Sequence, residues 1–299
     1  MLFEDITPAG KSFAKDPCVI HFQDRFYLYY SKPLFIDGKM QAYCIGIAQS
    51  TDLDHWEIIG SLKAEQPAEG NGICAPGAIV LDGAIHLFYQ SYGQFPKDYI
   101  CHAVSLDGIH FTRDESNPVV MPEGGWNNGR AIDADVTVLG DTLFLYWATR
   151  DPLGKIQMLG VSSAPVKSGF HRKDFAQRCY ASILRPKLDW EQDCIEAPAA
   201  ITCGGKIYMF YAGAYNCAPQ QISCAVSDDG VRFTRLSDVP LLTPGEKGSW
   251  NACESGHPYA IEHNGAYHLF YQGSDDMGGT WRLSRKRIVF HGDMPQITG

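Results

Sequence analysis

The chain has 299 residues, 45% of them hydrophobic and 20% charged, with a net charge of −9. That length holds one large all-β domain or two average ones around a substantial core. The acidic balance argues against nucleic acid or an anionic membrane as partner, since both attract basic patches. No apolar run approaches the roughly 18 residues of a membrane helix. The first residues, MLFEDITPAGKSFAKDP, lack the basic-then-apolar order of a signal peptide. Ten cysteines form neither a CxxC pair nor a Cys/His zinc pattern. Cys44, Cys101 and Cys224 sit in strand-like runs where a thiol serves as a small hydrophobe, so a reduced cytoplasmic protein is expected.

Five segments align without gaps: KDPCVIHFQDRFYLYY from Lys15, CAPGAIVLDGAIHLFY from Cys74, IDADVTVLGDTLFLYW from Ile132, EAPAAITCGGKIYMFY from Glu196 and GHPYAIEHNGAYHLFY from Gly256. Each is an apolar strand, a turn with Asp, Gly or Asn, and a second strand ending in aromatics. The period is about 60 residues. Between them, IGIAQSTDLDHW from Ile45, ICHAVSLDGIHF from Ile100 and ISCAVSDDGVRF from Ile222 share Ile-x-x-Ala-x-Ser, a turn and an aromatic. Asp-Gly after such a run is a hairpin signal. The corresponding unit around QMLGVSSAP is degenerate.

Each period thus holds about four short strands and almost no helical periodicity, as in a propeller blade. The expectation is an all-β, five-bladed β-propeller in one domain over residues 1–299, with blades starting near 14, 72, 131, 195 and 255. The first ten residues or the C-terminal TWRLSRKRIVF should complete a shared blade. Sandwiches do not repeat at this period, and β-helix rungs are shorter.

In a propeller, the start of each first strand opens onto one mouth of the central channel. One step before the proline column stand Asp16, Ala75, Asp133, Ala197 and His257. Two steps before it stand Lys15, Cys74, Ile132, Glu196 and Gly256. A purely structural position would repeat its residue, as the aromatic positions do. This column changes chemistry from blade to blade, so Asp16, Asp133, Glu196 and His257 are read as polar groups converging on a pocket.

KDP, CAP, AIDA, EAP and SGHP, in that order over residues 14–272, resemble the five-bladed glycosidases, and most of all glycoside hydrolase family 43. Ala134 stands where the family has Pro, and Ala197 where it has Gly. The Trp-x-Asn-Asp-Pro of the related fructosidases is absent from the first segment. The resemblance implies a glycosidase acting on the ends of short oligosaccharides, arabinofuranoside- or xyloside-like, with Asp16 as general base and Glu196 as general acid of an inverting mechanism. Asp133 would raise the pKa of Glu196 by like-charge proximity and orient it. Glycosidic hydrolysis requires such a pair, with separations of roughly 6.5–9.5 Å for inversion and about 5–5.5 Å for retention. Asp135 shares a strand face with Asp133 and rivals it for the third role.

Two matching loops, EGGWNNGRAIDAD and KGSWNACESGHP, bring Trp126, Asn127, Trp250 and Asn251 before the channel strands. These residues are candidates for a sugar-stacking rim, with Arg130 bonding hydroxyls. Repetition favours a wedge between blades for at least one Trp. Trp56 shares its column with Phe111 and Phe233 and is assigned to the core. Glu254 is either a substrate contact or a loop ion pair. No cofactor is required. The family places a calcium ion or a water-filled site in the channel near the fifth-blade His, which makes His257 its candidate contact, through water because calcium prefers oxygen ligands. Two alternatives remain at this point. One is a non-catalytic sugar-binding propeller. The other is a glycoside phosphorylase with Lys15, Arg130 and His257 around the phosphate.

Overall fold

The computed structural model describes residues 1–299. Its strands form five four-stranded antiparallel sheets. Blade I comprises β1 (Lys15–Phe22), β2 (Arg25–Ile36), β3 (Lys39–Ser50) and β4 (Glu57–Leu62). Blade II comprises β5 (Gly72–Leu81), β6 (Ala84–Tyr92), β7 (Ile100–Ser105) and β8 (Thr112–Arg113). Blade III comprises β9 (Ile132–Leu139), β10 (Thr142–Arg150), β11 (Gln157–Pro165) and β12 (Ala176–Gln177). Blade IV comprises β13 (Ile195–Cys203), β14 (Lys206–Gly213), β15 (Gln221–Ser227) and β16 (Thr234–Arg235). Blade V comprises β17 (Glu254–His263), β18 (Ala266–Ser274), β19 (Arg282–His291) and β20 (Met294–Thr298). The helices are three single 3-10 turns. Consecutive strands pair within every sheet, and the first strands β1, β5, β9, β13 and β17 contact one another in a ring.

Blade V closes the ring on a divided edge. The segment TWRLSRKRIVF supplies β19, and β20 pairs with Arg287–His291. The other end of β19 takes the N-terminus: Phe3 and Leu283 exchange backbone hydrogen bonds of 3.1 and 2.9 Å. The C-terminal segment thus completes the blade, and the N-terminal residues join it through two bridges, Phe3 with Leu283 and Phe13 with Trp281, because β20 already occupies most of that edge.

The repeated aromatic pairs fill the spaces between blades. Tyr29, Tyr30, Phe88, Tyr89, Tyr146, Trp147, Phe210 and Tyr211 are all fully buried. Glycines on the third strands make room for them. A Cβ at Gly46 would lie 2.3 Å from the Tyr30 ring, and one at Gly160 would lie 2.2 Å from Trp147. The degenerate third unit thus keeps the one feature its large neighbour demands. Hydroxyls stitch adjacent blades: Tyr29 Oη donates to Gly108 O at 3.0 Å, and Tyr146 Oη to Gly230 O at 2.9 Å.

Each channel strand carries a β-bulge at its start. Register slips between Lys15 and Cys18, Cys74 and Gly77, Glu196 and Ala199, and Gly256 and Tyr259, with a matching slip opposite Ile132–Asp135. The column residue adopts a left-handed backbone in all five blades: φ is 51° at Asp16, 47° at Ala75, 53° at Asp133, 50° at Ala197 and 40° at His257. Proline follows four of them, and a bulge is where a residue without an N–H does least harm to a ladder. A positive φ on a residue with a side chain is strained and tends to persist at functional sites. The bulge also breaks strict alternation, so two successive side chains of one strand reach the same cavity.

Candidate active site

Lys15 and Asp16, Ile132 and Asp133, Glu196 and His257 all line one cavity of about 290 Å³ at the mouth of the channel. The four polar residues read from the column therefore meet, each delivered by the bulge of a different blade. Beneath them the channel narrows to a void of about 20 Å³ walled by Pro17, Pro76, Pro198 and Pro258.

His257 bridges the site. Its Nδ1 lies 2.9 Å from Asp16 Oδ1, and its Nε2 lies 3.4 Å from Glu196 Oε1. Burial opposes a charged ring, but the flanking carboxylates prevail and hold His257 protonated well above its usual range. Burial likewise opposes the Asp16 anion, yet His257 and Lys15 outweigh it, so this carboxylate stays ionised well below the usual range. Glu196 is also lowered: burial is outweighed by His257, Lys15 and the amide of Gln220, whose Nε2 donates to Oε1 at 2.6 Å. Gln157 donates to the other oxygen. Asp133 has no such donors; its Oδ2 is buried without a partner, and burial raises it to about 7. Glu196 and Asp16 push it in the same direction, against His257. The expectation that Asp133 would raise Glu196 is thus corrected. The raised member of the pair is Asp133, because the imidazolium and two amides favour the anion on Glu196.

Side chains from neighbouring blades hold the strained N–H groups. Gln272 Oε1 accepts from Asp16 N at 3.0 Å, Ser31 Oγ from Ala75 N at 2.7 Å, Gln90 Oε1 from Asp133 N at 3.0 Å and Gln220 Oε1 from His257 N at 3.1 Å. These latches escaped the sequence reading, although Ser31, Gln90 and Gln272 each directly follow a repeated aromatic pair. Where that position is Ala148 or Ala212, Gln157 and Gln220 reach in from the next strand or the loop before it.

The remaining predicted residues separate by location. Arg130 lines the cavity, with Nε 3.4 Å from Asp98 Oδ2. Asp135 lies below the mouth, on the channel void. There its Oδ2 accepts from Ala200 N at 2.5 Å, and burial raises it to about 8. Glu254 is buried behind the cavity, accepting from Gln272 Nε2 and Cys217 N, both at 2.6 Å. Trp126 and Trp250 are wedges, 5.9 Å from the Trp147 ring and 5.8 Å from the Tyr271 ring, and neither lines the cavity. Trp190 against Tyr211 repeats the arrangement at 6.0 Å. Asn127 and Asn251 bond within their own loops. Tyr43, Tyr92, Arg150, Tyr215 and Asn216 complete the cavity wall and carried no repeat signal.

Asp133, Glu196 and His257 present ligand atoms within 4.8 Å of one another. They do not fit calcium as arranged. Both ring nitrogens of His257 face carboxylates, a protonated imidazole offers no lone pair to calcium or to a water bound on it, and calcium takes six to eight oxygens. A wider cleft of about 770 Å³ lies between blades II and III. Its Asp114 is engaged by His102 at 3.3 Å and His171 at 2.8 Å, so it holds no free carboxylate pair like that at the channel mouth.

The family model for glycosyl hydrolases family 43 matches residues 7–288. No curated protein matches the sequence. Among solved structures, a thermostable family-43 glycoside hydrolase superposes with a TM-score of 0.74 at 21% identity, covering 96% of this chain and 93% of the other. An endo-1,4-beta-xylanase from Bacteroides thetaiotaomicron gives 0.72 at 20% identity, covering 96% and 94%. An alpha-L-arabinofuranosidase from Lactobacillus brevis gives 0.71 at 15% identity, covering 95% and 93%.

Proposed function

The chain belongs to glycosyl hydrolases family 43 and is a glycosidase, and on that premise we propose that it removes terminal arabinofuranosyl or xylosyl groups from short oligosaccharides with inversion. Asp16 is the base, Glu196 the acid and Asp133 the protonated neighbour that orients it. The observation that carries this reading is the His257 ring standing between Asp16 and Glu196, one nitrogen toward each. An imidazole's width keeps the carboxylates apart, which suits the longer separation that admits a water beside the base. Asp16, ionised by its cationic neighbours, polarises that water. Asp133 keeps a proton near pH 7 within 4.8 Å of Glu196, and Glu196 takes up a proton before it delivers one to the leaving oxygen.

An ionised Asp16 beside a proton-bearing pair is an arrangement that a sugar-binding module has no use for. All ten cysteines are free and no helix is long and apolar enough to cross a membrane; the thiols support placement in a reducing compartment. The test is hydrolysis of 4-nitrophenyl α-L-arabinofuranoside and β-D-xyloside with NMR detection of the first anomer formed. Inverted product is expected. Retained product overturns the mechanism, and turnover of neither substrate overturns the substrate class. Turnover that requires inorganic phosphate would identify a phosphorylase.

A further inference from the structure

We propose that the leaving-group side of the cavity recognises a carboxylate, so that the sugar released there is a uronic acid; this rests on the glycosidase reading above. The residue that carries it is Arg150, at the end of β10 in the cavity wall. Its Nε donates to Gln157 Oε1 at 3.0 Å, and Gln157 in turn donates to Glu196. Arg150 is therefore joined through Gln157 to Glu196 in the cavity wall, so a sugar that takes its proton from Glu196 departs past it.

Its charge has no partner in the protein. Arg113 and Arg235 pair with the buried Glu69 and Glu191, and Arg130 pairs with Asp98. Arg150 makes only the neutral bond to Gln157, and ring faces close around it: Phe95 at 5.7 Å and Tyr215 at 5.6 Å from the guanidinium carbon. Its two terminal nitrogens make no hydrogen bond to the protein. A half-buried, unpaired guanidinium is costly, and an amide would serve a neutral hydroxyl without that cost. The planar fork matches a carboxylate with two parallel bonds. The exposed Phe95 ring, 57% accessible, also faces Arg130 at 5.2 Å and offers a surface for the face of the same sugar. In a chain of net charge −9, a cation left unpaired in the pocket is not a general surface property.

The test compares 4-carboxyphenyl with 4-carbamoylphenyl glycosides of whichever terminal sugar is cleaved, together with calorimetric titration of free galacturonate against galactose. Wild type is expected to favour the carboxyphenyl member in kcat/KM by about tenfold or more, the scale of a charge-assisted bond. The ratio should fall to about one in Arg150→Gln and recover in part in Arg150→Lys. Galacturonate should bind wild type and not Arg150→Gln. A wild-type ratio at or below one, or an unchanged ratio in Arg150→Gln, overturns the proposal while leaving the glycosidase standing. Galacturonate binding that depends on Arg150, without turnover of any glycoside, upholds acid recognition and overturns the glycosidase reading. Turnover that depends on inorganic phosphate would make the anion a co-substrate and overturn the proposal.

Discussion

His257 Nδ1 lies 2.9 Å from Asp16 Oδ1 while its Nε2 lies 3.4 Å from Glu196 Oε1, so one imidazolium sets the charge of both groups assigned to the chemistry. Asp16 is depressed, so it is a competent base down to low pH, and that competence is lost only as pH falls through its lowered value. In His257→Gln the largest favourable influence is gone and burial pushes Asp16 upward. The acid limb of the kcat/KM profile should then move to higher pH by about one unit or more, so that the variant loses progressively more activity relative to wild type as pH falls through that limb. An unmoved acid limb would show that His257 does not govern the base.

Asp135 tests the channel below the site. Burial raises its folded value to about 8 against an ordinary 3.8. A raised carboxyl contributes stability that is present below about pH 4 and lost as pH rises toward 8. Asn keeps the acceptor for Ala200 N and cannot ionise. Asp135→Asn should therefore remove up to one proton's worth of the decline in unfolding free energy between pH 5 and 9, leaving the variant more stable at pH 9 by about 1–3 kcal/mol. Urea unfolding at the two pH values checks this, and parallel curves for the two proteins would contradict it.

Five blades were legible because a blade must bury aromatics on both sides, and Tyr30, Tyr89, Trp147, Tyr211 and Tyr271 recur at that demand. The meeting of Asp16, Asp133, Glu196 and His257 was legible because a ring converts one sequence column into one mouth. Three features were hidden. The left-handed turn before each proline is a backbone property with no residue type of its own. The direction of the Asp133–Glu196 pair depends on Gln157 and Gln220, whose positions on the third strand or the loop leading to it fall outside the column. Trp126 and Trp250 repeat with Trp190 as wedges, where repetition signals structure and a lone aromatic such as Tyr215 faces the pocket.

Gln272 joins two of these layers: its oxygen holds Asp16 N at 3.0 Å and its nitrogen holds Glu254 Oε1 at 2.6 Å. Gln272→Ala leaves a buried carboxylate and a strained N–H short of partners. A loss of about 2–4 kcal/mol in unfolding free energy is expected. Turnover should fall more than KM rises, because the displaced group is the one proposed as base rather than a binding contact. Intact stability in this variant would mean that the latch holds nothing.

Since the donors around His257 do not suit calcium, dialysis against EDTA should leave kcat and the melting temperature unchanged, and added calcium should raise neither. Activity lost to the chelator and restored by calcium would show that an ion displaces the His257 bridge.

The most direct measurement sets Asp16→Asn and Glu196→Gln side by side on two substrates of the same sugar, one with a dinitrophenyl leaving group and one with an unactivated sugar leaving group. Asp16→Asn should lose turnover on both by about a thousandfold or more, since no leaving group replaces the base. Glu196→Gln should lose it on the natural linkage and keep most of it on the dinitrophenyl glycoside, which departs without a proton. Near-wild-type turnover of the natural linkage by Asp16→Asn, or equal losses on both substrates in Glu196→Gln, would contradict the assignment of base and acid.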